Sequence, residues 1–564
     1  DHRYIHSFPT RRSSDLSNPY RVAACGKHFL GYSVPVSGKD RTPAFIPEIE
    51  LRERHIPPFQ AAIDAGMHTI MLNSGIINGV SVHASYEIIT ELLKGEMGFT
   101  GLVLTDWLDI ENLHYRDRVA STHKEAIKMA INAGVDMSMI PYNYTRFITY
   151  LVELVNEGEV PMSRIDDAVR RILNTKYKLG LFETPVTHYR DYPLFGGAEH
   201  HSAALQTALE SITLLKNDNN ILPLSKTARV LVTGPNSNSM RTLNGGWSYS
   251  WQGEKVEEFA QAYYNILEAI QKEIGADRVV FSEGVRYDHD ARYFVDEAFD
   301  IQGAVRAARN VDYIILAVGE NSYCEKPGDL HDLTLSRNQI NLAKALAQTG
   351  KPIILVLNQG RPRLIREIEP LVDAVVNVYL PGNFGGPALA DILFGDHNPS
   401  GRLPFTYPAY PNSLVTYDHK PSEHRAPTLG AYDYGGDFVV QWPFGFGLSY
   451  TTFEYSDLSM SAPSLSSGGQ LEVSVNVKNT GARAGQEVVM LFTAAHFASI
   501  TPDVRRLRAF NKINLEPGEQ KTVTFTLDAD DISFINAQNL RVTEAGSYDV
   551  MIGNLKDTFE FVYQ

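Results

Sequence analysis

Twice along this chain, short runs of wholly apolar residues alternate with longer helical patterns, and beyond residue 451 the helical patterns stop. A strand that reads apolar at every position is buried on both faces, the habit of a parallel sheet covered by helices. A strand that alternates apolar and polar residues has one face in water. The order therefore restricts the fold to two α/β regions followed by an all-β region. At 564 residues the chain also exceeds what one hydrophobic core organises, so several domains are expected.

The first α/β region runs from residue 17 to 190. Its strands are read at Val22–Gly26, leading into Lys27-His28-Phe29, at Thr69–Leu72, at Leu102-Val103-Leu104, and at Gly134-Val135-Asp136-Met137. Helices are expected near Glu50–Ala65, at 85–97 with Ile88, Ile89, Leu92 and Leu93 on one stripe, at His123–Ala133, and between 145 and 177. These are four strand–helix units, whereas a closed (β/α)8 barrel takes eight in about 250 residues. All four strands end in polar residues: Lys27/His28, Asn73/Ser74, Thr105/Asp106 and Asp136/Ser138. The C-terminal ends of barrel strands are where such folds do chemistry. The reading is therefore the C-terminal half of a TIM-like barrel, preferred over a small open α/β sheet complete in itself.

From 200 to 415 the alternation recurs, with strands at Val230, Val279, Tyr313, Pro352 and Ala374. This predicts an α/β sandwich domain with a mainly parallel sheet. No glycine-rich phosphate loop stands in a strand–turn–helix context, so nucleotide binding has no support. A Pro-, Tyr- and Gly-rich stretch, 416–450, reads as a linker. Residues 451–564 then alternate as strands only, as in a fibronectin III-like or immunoglobulin-like β-sandwich. The whole is a multidomain α/β plus β fold.

A net charge of −15 without a basic block argues against nucleic acid or an anionic membrane surface as partner, and a neutral ligand fits best. No apolar run is long enough to span a membrane. Cys25 and Cys324, the two cysteines, lack metal-type spacing and are read as buried free thiols, with a disulfide left open. Residues 6–16 resemble the in-frame translation of a sequencing-library adapter, so 1–16 are set aside as a tag would be. On that reading the natural N-terminus, with any signal peptide, is missing.

Two places carry candidate chemistry. Asp106 closes an apolar strand where a carboxylate contributes little to stability, with Trp107 beside it. The long polar loop after the Tyr313–Gly319 strand offers Glu320, Glu325 and Asp329, and loops after parallel strands are where ligands meet such sheets. Trp247 and Trp251 stand in a second loop, Gly245-Gly-Trp-Ser-Tyr-Ser-Trp-Gln-Gly253. Aromatic faces of this kind suit pyranose rings. Met139, at another strand end, is a subsite wall or a core residue.

Taken together, these pieces resemble glycoside hydrolase family 3, the exo-acting β-glucosidases and related enzymes. The resemblance rests on Lys27-His28-Phe29, Gly98–Trp107, Leu214–Asp218 with Leu222-Pro-Leu224, Gly245–Gly253, Tyr323-Cys-Glu325 with Gly328-Asp329, and Pro443–Tyr450. It covers nearly everything after residue 20 and implies the three-domain form. Hydrolysis with retention takes a nucleophilic carboxylate and an acid/base carboxylate. The resemblance assigns these to Asp106 and Glu325, with Glu325 serving from another domain. It further implies that Lys27 and His28 bind hydroxyls of the terminal sugar, Lys27 helping to keep Asp106 ionised. Trp107, Trp247 and Trp251 would clamp a β-linked glucoside or glucan oligosaccharide, with Met139 at the neighbouring subsite. Asp329 would fix the loop, and Glu320 would be structural. No cofactor or metal is implied, and a periplasmic or secreted location is.

The family's barrel also supplies an aspartate and an arginine from its first half, and neither is placed here. The chain expressed alone is therefore expected to be inactive and poorly soluble, and the full-length protein an enzyme. The alternatives are a β-xylosidase of the same family, or a non-catalytic carbohydrate-binding remnant. The Tyr323–Glu325 loop argues against the glucosaminidase branch, in which a histidine–aspartate pair replaces the glutamate.

Overall fold

The computed structural model describes residues 22–413, 415–423 and 439–563. The segment 1–16 and residues 424–438 of the connecting stretch lie outside the described residues. The chain forms two compact units, one running through Phe195 and including Ile535–Arg541, the other containing the rest from Gly196.

In the first unit three parallel strands, β1 (Cys25–Phe29), β2 (Thr69–Leu72) and β3 (Leu102–Leu104), lie in the order β1-β2-β3. The fourth expected strand is reduced to one parallel bridge, Leu104 to Met137. Phe29, Ile70, Leu72 and Val103 are fully buried against helices that supply Ile89, Leu93, Ile127 and Ile131. Burying each such side chain contributes roughly 1.5–3 kcal/mol.

Helices follow β3: a short α1 (Asp109–Tyr115), α2 (His123–Ala133) and, after another, α3 (Met162–Lys178). The local sequence sets the limits of α2. Thr122 accepts a bond from the Glu125 amide at its start, a cap worth about 1 kcal/mol. Gly134, in a left-handed conformation (φ +118°), ends it. A side chain at Gly134 would sit 2.5 Å from Thr90 Oγ1 and 2.9 Å from Ile89 Cγ2, so glycine is also what lets α2 approach the helix Glu87–Glu96.

The second unit is built on a six-stranded sheet. Its strands are β4 (Thr213–Asn217), β5 (Val230–Thr233), β6 (Val279–Ser282), β7 (Tyr313–Gly319), β8 (Ile353–Asn358) and β9 (Ala374–Asn377). Their order is β4-β9-β8-β7-β5-β6. All neighbours are parallel except β4, which pairs antiparallel with β9. The unbroken apolar runs divide residue by residue between two cores. Ile315, Ala317, Ile354 and Val356 join α4 (Ala198–Ser211), α5 (Ile266–Ile274) and α8 (Gly385–Phe394). Ile314, Leu316, Val318, Leu355 and Leu357 join α6 (Ile301–Ala308) and α7 (Arg337–Ala347).

The C-terminal part of this unit is a β-sandwich. One sheet is β10 (Phe453–Met460), β12 (Leu471–Asn479) and β15 (Gln520–Leu527). The other, in the order β11-β17-β16-β13-β14, contains β11 (Ser464–Ser466), β13 (Gly485–Ala495), β14 (Arg506–Leu515), β16 (Gly546–Ile552) and β17 (Leu555–Val562). On β12, Leu471, Val473, Val475 and Val477 face the core while Glu472 and Lys478 face water, the alternation expected of a sheet wet on one side.

Several readings need correction. Lys27 and His28 lie within β1 rather than after it. Neither Cys25 nor Cys324 is in a disulfide, and Cys25 is exposed and Cys324 half-buried, so neither is a core thiol. The polar end Asp136 is consumed internally: it bonds Lys94 Nζ (2.8 Å), the Val103 amide (2.9 Å) and the Arg164 guanidinium. Asn73 closes a turn, accepting from the Gly75 amide and donating to the Leu30 carbonyl, both at 2.7 Å.

Candidate active site

Asp106 is 7% exposed, two residues beyond the last strand residue of β3. The chain here is fixed from the side: the Thr105 amide donates to the Met137 carbonyl (3.1 Å), and the Met139 amide donates to Thr105 Oγ1 (2.9 Å). Asp106 Oδ1 accepts the Trp107 amide at 2.6 Å. Oδ2 accepts Arg41 Nη2 at 3.2 Å and lies 3.7 Å from His28 Nε2. Leu108, at φ +60°, then turns the chain into α1, its amide bonding the Met139 carbonyl.

The cation at Asp106 is thus Arg41, while Lys27 is exposed. Arg41 arrives on the loop after β1 and also bonds Asp40 Oδ2 (2.5 Å), which accepts the Tyr32 hydroxyl through its other oxygen. The Tyr32 ring lies 4.4 Å from the His28 ring. Burial lowers the His28 pKa from its ordinary value; Asp106 pulls it up, and Lys27 and Arg41 push it down. Burial thus favours the neutral form of the His28 ring, in which it can donate or accept by its tautomer. Trp107 is 53% exposed with Tyr142 edge-on at 6.4 Å, and Met139 is half-buried. Sequence reasoning passed over Arg41; its signal is the charged triplet Lys39-Asp40-Arg41 directly after a stretch, 33–38, made of Ser, Val, Pro and Gly.

In the second unit the five parallel strands run β6-β5-β7-β8-β9, so the chain reverses its order of addition between β5 and β7. Loops at such a switch point are where doubly wound sheets place ligands. The loop after β7 carries Glu320–Asp329. Glu320 turns inward, its side chain 1% exposed, whereas Glu325 is half-buried. Glu325 adopts φ +52°, ψ −150°, a backbone region kept almost entirely for glycine.

The tryptophan loop is fastened to this one. Gln252 Oε1 accepts the Cys324 amide (3.1 Å), Gln252 Nε2 donates to the Cys324 carbonyl (3.2 Å), and Cys324 Sγ donates to the Trp251 carbonyl (3.0 Å). A side chain at Gly246 would meet the Tyr323 carbonyl at 2.4 Å. Trp247 and Trp251 remain substantially exposed. Asp329 is half-buried, its amide closing a turn on the Lys326 carbonyl. Elsewhere in this unit Glu273, Asp391 and Asp396 converge within 4.8 Å. The Lys226 ammonium lies 2.6 Å from Glu273 and 2.7 Å from Asp396.

Comparison with known proteins identifies the domains of the chain. Residues 6–175 match the glycosyl hydrolase family 3 N-terminal domain, 212–450 its C-terminal domain, and 487–556 a fibronectin type III-like domain. The chain is 42% identical to a lysosomal beta glucosidase of Dictyostelium discoideum, over 94% of this chain and 65% of that protein. It is 33% identical to a periplasmic beta-glucosidase of Salmonella typhimurium (95% and 72% covered) and 34% identical to a beta-xylosidase of Formosa agariphila (94% and 74%). The crystal structure of a beta-glucosidase from Listeria innocua in complex with glucose superposes with a TM-score of 0.87 at 30% identity, covering 98% of this chain and 75% of that one. Among the described residues no helix is long and apolar enough to cross a membrane. A buried carboxylate at a strand end, a strained glutamate on a switch-point loop and matches along almost the whole sequence agree: the chain belongs to glycoside hydrolase family 3.

Proposed function

We propose that the protein is a retaining, exo-acting β-glucosidase that removes terminal glucosyl residues from β-linked oligosaccharides. Asp106 is the nucleophile and forms the glycosyl–enzyme ester. Glu325 protonates the departing oxygen and then deprotonates the water that releases glucose. The observation that carries this reading is the setting of Asp106: a nearly buried strand-end carboxylate, held by the Trp107 amide and Arg41, with His28 Nε2 3.7 Å away. His28 and Lys27 take the terminal sugar's hydroxyls. Trp107, Trp247 and Trp251 supply stacking faces, Met139 a subsite wall, and Asp329 a brace for the loop. The beta-glucosidase names of the Dictyostelium and Salmonella relatives support glucose as the sugar.

Asp106→Asn keeps the shape and removes the nucleophile. Turnover of an aryl β-glucoside should fall at least about 10³-fold while glucose binding persists; unchanged turnover would refute the assignment. The assay is run on the chain extended upstream to the length of its relatives, and on this chain where its unsubstituted form turns the substrate over. The Formosa beta-xylosidase relative supports a second reading, cleavage of β-xylosides. Comparing kcat/KM for aryl glucoside and aryl xyloside separates the two.

A further inference from the structure

Glu320 is the most heavily bonded carboxylate of the loop, and the proposed reaction does not use it. Oε1 accepts Arg361 Nε (3.3 Å), Arg361 Nη2 (2.9 Å) and Arg363 Nη1 (3.0 Å). Oε2 accepts the Tyr323 hydroxyl (3.0 Å) and the Arg361 amide (3.2 Å). With its lone pairs engaged and its side chain buried, it has no path by which to hand a proton to a substrate.

The same bonds fasten the loop at three points. The first is Glu320 itself, whose carbonyl accepts Asn236 Nδ2 at 3.0 Å. The second is Tyr323, bonded through its hydroxyl and covered by the Arg361 guanidinium 4.2 Å from its ring centre. The third is Gly328, whose carbonyl accepts Arg361 Nη1 (2.7 Å) and the Tyr293 hydroxyl (3.2 Å). Glycine is required there, because a Cβ would lie 2.3 Å from the Tyr323 ring. Glu325 sits between the second and third points in its left-handed backbone. Such a conformation persists only where the surroundings over-determine it.

We infer that Glu320, acting through Tyr323, Arg361 and Arg363, is a positioning residue that holds Glu325 for proton transfer. A buried ion cluster adds little stability over well-packed apolar residues, and fixing one geometry among several is its best-attested use. The inference rests on the assignment of Glu325 as acid/base. It adds that the strain at Glu325 is maintained from Glu320.

The test compares kcat/KM on two substrates, with each variant made in the chain extended upstream to the length of its relatives. Methyl β-glucoside needs its leaving oxygen protonated; 2,4-dinitrophenyl β-glucoside does not. Glu320→Gln should lower kcat/KM on the methyl glucoside at least about 30-fold and on the dinitrophenyl glucoside less than about 3-fold, with azide restoring kcat on the latter. Tyr323→Phe, which removes one bond and keeps the ring, should give a smaller loss with the same selectivity, confined to the methyl glucoside, and stands in if Glu320→Gln does not fold. An equal loss on both substrates, or none on either, overturns the inference. Glu325→Ala is the reference. If it shows no leaving-group selectivity, the acid/base assignment falls and this inference with it. If it does and the other two variants do not, only the positioning role of Glu320 is lost.

Discussion

The contact between Arg41 and Asp106 is open to a double-mutant cycle. At 3.2 Å and an effective dielectric near 20, the two charges attract by about 5 kcal/mol before desolvation is counted. Their side chains are 12% and 10% exposed, so solvent screens them little. Most of that attraction offsets the cost of taking both ions out of water, but removing one partner leaves the other stranded, at about 3–5 kcal/mol. We expect Arg41→Met to cost that much, since both Asp106 and Asp40 lose their guanidinium. Asp106→Asn should cost less, because Arg41 keeps Asp40. The double variant should fall short of the sum by about 2 kcal/mol. Urea unfolding followed by tryptophan fluorescence reads this in a background with Trp247, Trp251 and Trp442 replaced by Phe, because Trp107 is then the one reporter and lies in the first unit. With a slope near 2 kcal/mol per molar urea, the Arg41→Met midpoint should drop by about 2 M. Single costs that add to within about 0.5 kcal/mol would show that the pair is a neighbourhood and not an interaction.

Two further expectations concern the scaffold. Gly319 has φ +146°, and an added Cβ would stand 2.0 Å from the Asn358 carbonyl oxygen. Gly319→Ala should therefore cost more than about 4 kcal/mol in thermal melts, whereas Gly38→Ala (φ +67°, open space around it) should cost only about 1 kcal/mol for its backbone; similar melts for both would contradict the steric account. His83 is fully buried 3.6 Å from Asp109, and burial lowers its pKa below the ordinary value. Folded His83 stays neutral where the unfolded chain takes up a proton, so stability is constant above about pH 6.5 and lost as pH falls below it, by at most about 1.4 kcal/mol per pH unit. Replacing it by Gln should flatten that slope in urea midpoints measured between pH 7.5 and 5, and an unchanged slope would count against the argument.

Where side-chain pattern alone fixes an element, the sequence was readable. The α2 limits, His123 and Ala133, follow from Thr122 and Gly134, and the runs of β7 and β8 have no other home than a sheet covered twice. β4 escaped notice as a strand because nothing in Thr213–Asn217 announces an antiparallel partner 160 residues later. The strand-end rule pointed to Asp106 but equally to Asp136, and only the positions of Lys94 and Arg164 show that Asp136 is bound into the scaffold. Arg41 reaches Asp106 across 65 residues of sequence, a distance no local periodicity encodes. The backbone at Glu325 was illegible for another reason: strain is imposed by Tyr323, Arg361 and Gly328 and leaves no mark on the residue's identity.

The division of β7 between two cores has a consequence for how this sheet can change. Ile314 and Ile315 share a peptide bond, yet one packs with α7 and the other with α5 and α8. Ile315 and Ile354 face each other in register and share a core, though separated in sequence. The sheet is in effect a bulkhead between two compartments. A change of volume on one side must be answered on that side, by residues distant along the chain, while the next residue in sequence need not respond. Loops at the sheet's rim, the one carrying Glu325 among them, are rooted in both compartments at once.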